Sequence, residues 1–207
     1  MTQIYFIRHA EPTRGANSKY TDRTYPLSAK GQADVPLVTN YLHDKNITAV
    51  LSSPFERAIS TVSAFAATIH CDVELVEDLR ERAISDGWID NFVAFASNQW
   101  ANFDYKLPAG ESLREVQQRG IPALQELLMR YRGQNIAIGS HGTLISCIVN
   151  YYMPTYGYND FINMAHIMPW VAKLVFEGDK FVSFTGVDLF TGKAGVSPQD
   201  RLLHKGQ

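Results

Sequence analysis

Two short, mainly apolar runs, residues 3–7 and 135–139, share one design: each is β-prone, too short for a helix, and stops at a polar pair containing a histidine. The first ends at Arg8-His9 and the second at Ser140-His141. Residues 47–51 and 73–76 read as two further strands. Between the strands the period changes. Val35, Val38 and Leu42 fall on one face of a helix that Ser28 can cap, although Pro36 should kink it. Ser53-Pro-Phe-Glu56 has capping-box spacing with Pro at the first helical position, so a helix is predicted to begin there and to hold Arg57 in its opening turn. Leu113, Val116, Leu124, Leu127 and Tyr131 keep helical spacing over 111–131, with a break predicted at Pro122, and 143–152 reads as a helix. Residues 171–176 and 180–184 flank Glu177-Gly-Asp179, a hairpin turn whose Gly supplies the permissive backbone. Strands alternating with helices predict an α/β fold, a mainly parallel sheet closed by a C-terminal hairpin.

Composition narrows the function classes. The 207 residues suit a single domain, 1–207, and no repeat, linker or low-complexity segment divides them. Hydrophobic residues make up 45% and charged residues 19%, which excludes global disorder. The 19 basic and 21 acidic side chains give a net charge of −2, so no overall field favours nucleic acid or an anionic membrane, and any anion site must be local. Cys71 and Cys147 are too few for a disulfide scaffold and fit a reducing compartment. The amino terminus lacks a basic start and a small-residue cleavage site, so a cytoplasmic location is expected. Residues 133–159 carry no Asp, Glu, Lys or Arg, but Ser140, His141 and Asn150 interrupt them, so they read as strand, turn and helix rather than as a span.

In open α/β sheets ligands bind beyond the carboxyl ends of the strands. If the strands before Arg8-His9, Arg57 and His141 are adjacent and parallel, two guanidinium and two imidazole groups converge there. Such a pocket suits a phosphoryl group, whose charge must be paired when desolvated and whose oxygens match the planar fork of Arg. Taken alone, Arg8-His9 reads as a surface accident, Arg57 as a solvated residue and His141 as a core histidine; their joint placement at strand ends favours chemistry. Trp88, Phe92, Phe95, Trp100, Phe103 and Tyr105 read chiefly as core. His70, Cys71 and Asp72 are too close together to share a tetrahedral metal centre.

Phe6-Ile-Arg-His-Ala-Glu11, Pro26-Leu-Ser-Ala-Lys-Gly31, Leu51-Ser-Ser-Pro-Phe-Glu-Arg-Ala58 with Thr61, Gly110-Glu-Ser112 and Gly139-Ser-His-Gly-Thr143 occur in the order of the motifs of the histidine phosphatase superfamily. The chain resembles that phosphoglycerate mutase-like family over most of its length. The resemblance implies a three-layer α/β/α sandwich and a metal-independent phosphatase, without a cofactor, acting on a small phosphomonoester. It makes His9 the nucleophile that becomes a phosphohistidine, with Arg8, Arg57, His141, Gly142 and Thr143 binding the phosphoryl group. The proton donor it implies is Glu81, in Leu79-Arg-Glu81, with Asp86 and Glu77 as alternatives because the following Gly stands late. Ala10 replaces a usual Gly and is expected to be tolerated. Gly15 stands where a phosphate-binding Asn is common, so that side-chain contact is either missing or supplied by Arg14, Asn17 or Arg23. Mutase-type phosphoryl transfer and phosphate-ester binding without turnover are the alternative functions. Loops 12–25 and 82–108 set the leaving-group pocket, and Arg14, Lys19 and Arg23 either meet a second acidic group there or face water.

Overall fold

A computed structural model describes residues 1–13, 21–85 and 89–195. Its strands are β1 (Thr2–Arg8), β2 (Ile47–Ser52), β3 (Val73–Leu75), β4 (Asn135–Ser140), β5 (Trp170–Glu177), β6 (Lys180–Asp188) and β7 (Ala194–Gly195). They form one sheet in the order β3-β2-β4-β1-β5-β6-β7. The first four are mutually parallel, whereas β5, β6 and β7 add on in antiparallel fashion, so the expected hairpin extends to a mixed sheet. The helices are α1 (Ala29–Leu42), α2 (Glu56–Thr68), α3 (Phe92–Ala101), α4 (Leu113–Arg130), α5 (Gly142–Tyr152) and α6 (Tyr158–Ala165).

The layers follow from the alternation of side chains along the central strands. Ile4 and Phe6 of β1, with Ile136 and Ile138 of β4, face the core shared with α4 and α5. Tyr5, Ile7 and Ala137 face the other core, against Val38 and Leu42 of α1 and Val62 and Phe65 of α2. Because both faces are covered, neither strand shows a polar alternation, which is why each reads as a short apolar block. The architecture is the three-layer α/β/α sandwich.

Two local expectations change. Ser53 does not cap α2; Phe55 occupies the N-cap position, and the Ser53 hydroxyl is engaged elsewhere. Arg57 is nonetheless in the opening turn. Pro122 does not break α4, which runs through it, as α1 runs through Pro36. Both prolines lie on exposed faces, where water replaces a lost helical bond, while the buried Ile121, Leu124 and Leu127 hold α4 in place. Helix α6, of 8 residues, and strand β7, of 2, are additions too short to read from the chain. The aromatic run behaves chiefly as core: Phe95 is buried, and Trp100 packs on Phe103 and on Phe161 of α6.

The Leu27-Ser28-x-x-Gly31 pattern has a steric cause. Ser28 caps α1 by accepting Gly31 N–H (3.0 Å), donates its own N–H to Glu11 O (2.9 Å) and donates its hydroxyl to Glu11 Oε1 (2.8 Å). A Cβ on Gly31 would lie 2.1 Å from Glu11 O. Only glycine lets the chain leaving His9 lie against the start of α1.

Candidate active site

Register brings the chemistry together. Arg8 pairs with Ser140 across β1 and β4, and Ser52 pairs with Gly139 across β2 and β4. His9 N–H donates to Ser140 O (3.0 Å) and Ser53 N–H to Gly139 O (2.8 Å), which carries the ladder one residue past the strands. His9, Ser53 and His141 therefore emerge side by side, with Arg57 entering from the first turn of α2.

The His9 imidazole is buried and held in one protonation pattern. Its Nδ1 lies 2.7 Å from Ala10 O, a pure acceptor, so Nδ1 carries the proton. Nε2 accepts from Arg57 Nε at 3.2 Å, which requires a bare lone pair there. The Ala10 N–H is donated to Thr61 Oγ1 (2.9 Å), which ties the backbone beside His9 to the helix that carries Arg57. Ala10 is not among the residues with positive φ, so replacing a glycine costs no backbone strain here.

Arg57 is 2% exposed at the positive end of α2, a poor place for a cation unless anions or acceptors surround it. Its Nη1 donates to Asp22 O and forms an ion pair with Asp22 Oδ1 at 3.2 Å. Arg8 Nη1 donates to Met164 O (2.8 Å) and Ile167 O (3.1 Å), at the end of α6. A Cβ on Gly142 would lie 3.2 Å from Arg8 Nε, so Gly142 is what allows that guanidinium to lie against the start of α5.

His141 is fully buried, at the N-cap of α5, with its ring centroid 5.3 Å from that of His9 and 5.0 Å from that of Phe55. Burial, then the positive surroundings of Arg57, His9, Arg119 and Arg8, hold its pKa well below the ordinary 6.5. The imidazole is thus neutral in the folded protein. Unfolded, it takes up a proton as pH drops through 6.5, so below that value the unfolded chain binds more protons and stability is lost as pH falls. The urea midpoint should decline from about pH 7 to about pH 5, and decline less steeply in His141→Gln, which has nothing to protonate. Equal slopes in the two proteins would assign the acid sensitivity to other groups.

Glu81 reaches the same end of the sheet. Its Oε2 accepts Thr143 N–H (3.3 Å) in the first turn of α5, and its Oε1 accepts Arg82 N–H (2.8 Å). In this structure, then, Thr143 gives its N–H to Glu81. The segment carrying Glu81 is clamped: Arg119 grips Glu111 with Nε (2.8 Å) and Nη2 (3.0 Å) and donates Nη1 to Asp78 O (2.7 Å) and Arg80 O (3.0 Å). Glu111 also accepts Ala83 N–H (3.0 Å). Burial alone would raise the Glu111 carboxyl, but Arg119, the Ala83 N–H and Arg80 outweigh it and hold the pKa below the ordinary range. This gives Gly110-Glu-Ser112 its meaning: Glu111 organises the Glu81 segment and Ser112 caps α4.

The structure therefore brings Arg8, His9, Arg57, His141, Gly142, Thr143 and Glu81 to one place. Glu77 is exposed and paired with Arg23. Asp86, Arg14, Gly15, Asn17, Lys19 and Trp88 lie outside the described residues. Among the described residues no three His, Cys, Asp or Glu side chains are placed to hold a metal ion, and no helix is long and apolar enough to cross a membrane. Sequence reasoning missed Ser53, Asp22 and the Met164 and Ile167 carbonyls. Only Ser53 carried a signal, since it lies inside a motif.

Residues 4–185 match the sequence profile of the histidine phosphatase superfamily (branch 1). The chain is 30% identical over 159 residues, 72% of its length and 74% of the relative's, to a probable phosphoglycerate mutase GpmB of Escherichia fergusonii. Its fold is similar to Bacillus stearothermophilus YhfR, with a TM-score of 0.72 and 21% identity over 88% of this chain and 95% of that one. It is also similar to a mycobacterial glucosyl-3-phosphoglycerate phosphatase, with a TM-score of 0.67 and 16% identity over 83% and 89% of the two chains. With the strand-end Arg-His and Ser-His pairs, the helix-borne Arg57 and a profile match spanning most of its length, this chain belongs to the histidine phosphatase superfamily.

Proposed function

We propose that the protein is a metal-independent phosphatase that hydrolyses a small phosphomonoester through a phosphorylated His9. The observation that carries this reading is the state of His9: Nδ1 is tied to Ala10 O, and the Nε2 lone pair lies beside the Arg57 guanidinium. A neutral imidazole in this tautomer attacks phosphorus through Nε2 as the Arg57 N–H turns from that lone pair to a phosphoryl oxygen. The P–O bond to the leaving group breaks, and Glu81 gives the departing oxygen its proton. Water then attacks the phosphohistidine, Glu81 takes a proton from it, and the P–N bond breaks to release phosphate and regenerate His9. Arg8, Arg57 and His141 stabilise the charge on the equatorial oxygens in both steps.

Phosphoryl transfer of the mutase type is favoured by one observation, the naming of curated sequence relatives as probable phosphoglycerate mutases. A panel of phosphomonoesters assayed for phosphate release, beside phosphoglycerate isomerisation with and without a bisphosphate primer, separates the two. Water-dependent release is expected for at least one ester, with an acid-labile phosphoryl adduct on the protein. Isomerisation without release would replace the phosphatase reading, and tight ester binding with neither would replace both with a binding role.

A further inference from the structure

Ser53 takes no part in either chemical step, yet its side chain is completely buried and lies 2.8 Å from His141 Nε2. Two arrangements of protons fit that distance. Either the hydroxyl donates to a bare Nε2, or an Nε2–H donates to the hydroxyl oxygen. The surroundings of Ser53 decide between them. The other bond to its Oγ is from Phe55 N–H (3.3 Å), and an N–H cannot accept a proton. If His141 also donated to Oγ, the serine proton would be sealed in the interior with no acceptor among the described residues, a donor losing its hydration for nothing. If Ser53 donates, Phe55 N–H to Oγ and Oγ–H to Nε2 are both satisfied and the imidazole proton on Nδ1 is the single group left over, whereas the other arrangement strands both the serine proton and the Nδ1 lone pair.

That assignment has a consequence on the far side of the ring. His141 Nδ1 is buried and has no hydrogen-bond partner among the described residues. Phe55 and the His9 ring pack edgewise on the imidazole and hold its plane, so the ring does not turn Nδ1 to another acceptor. The Nδ1–H is therefore the donor His141 has left for a ligand at this end of the sheet, whereas in the other tautomer a lone pair would oppose an incoming oxyanion.

We propose that Ser53 is a positioning residue: by donating to His141 Nε2 it locks the tautomer that presents Nδ1–H to a phosphoryl oxygen. The proposal rests on the phosphatase reading of the site. Its core, the tautomer, is measurable without turnover.

The test is the ¹⁵N spectrum of the histidine ring nitrogens in the ligand-free full chain, with His141 assigned by comparison with His141→Gln, followed by inorganic phosphate titration and kinetics on wild type, Ser53→Ala and Ser53→Thr. The proton is expected on Nδ1 in the wild type. In Ser53→Ala it should redistribute towards Nε2, phosphate affinity and kcat/KM should fall together by about 10- to 100-fold, and Ser53→Thr should restore both. A wild-type His141 protonated on Nε2, or a Ser53→Ala protein with Nδ1 protonation unchanged, would overturn the proposal. The wild-type spectrum decides even if the alanine variant does not fold. Should the wild type neither bind phosphate nor turn over any ester, the phosphatase reading fails, while the ring spectrum still shows whether the serine sets the tautomer.

Discussion

His9→Ala is expected to lower kcat by about 10⁴-fold or more and to abolish acid-labile labelling of the protein by a phosphorylated substrate. Among the described residues, the other imidazole in the site is not placed to take over. His141 Nε2 is committed to Ser53, and its ring is packed against Phe55. The remaining groups are donors and general acids rather than nucleophiles. Binding should survive where turnover does not, because Arg8, Arg57 and His141 are anchored by contacts other than His9: Arg8 through Met164 O and Ile167 O, Arg57 through Asp22, and His141 through Ser53. The dissociation constant of a phosphate ester should therefore stay within about tenfold of the wild-type value, the loss of one contact. Equilibrium binding together with single-turnover labelling separates the two effects. A His9→Ala protein that keeps its activity or its acid-labile label would remove His9 as nucleophile.

The second large effect is expected at Arg57. Its Nε faces His9 Nε2 and its Nη1 faces Asp22, so one guanidinium touches both the proposed nucleophile and the loop covering it. Truncation to Ala removes a transition-state cation and leaves Asp22 without its partner, and kcat/KM should fall about 10³-fold. Arg57→Lys should recover little. An ammonium keeps the charge but is a single point on a flexible stem, and cannot offer one N–H to an imidazole and others, in the same plane, to an oxyanion. Steady-state kinetics on both variants, with circular dichroism to confirm folding, is the measurement. A lysine variant within tenfold of wild type would mean that charge alone matters, and an alanine variant at that level would take Arg57 out of the site.

Much of this site is legible in the chain because the sheet does the assembling. Runs such as 3–7 and 135–139 are apolar on both faces, so they are recognisable as buried parallel strands, and whatever follows a buried strand lies at a sheet end. That is sufficient to bring His9, Arg57 and His141 together. What is illegible depends on contacts between residues far apart in the chain. Arg8 is held by carbonyls 156 and 159 positions away, at the end of a helix only 8 residues long. Ser53 misleads for a different reason: its spacing to Glu56 is locally sufficient for a cap, and only the tertiary neighbour, His141, claims the hydroxyl instead. Pro122 shows the same override in reverse, since burial of the opposite face outweighs a lost helical bond.

The carboxylate of Asp22 sits 3.2 Å from Arg57 and is tethered there by its own backbone, while its side chain remains 62% exposed. A tethered group of this kind has an effective concentration in the millimolar range or above. On the proposed phosphatase reading, a phosphate drawing on Arg57 Nη1 would meet a resident carboxylate that does not diffuse away. Such an arrangement would trade affinity for exchange, favouring release of inorganic phosphate over its retention.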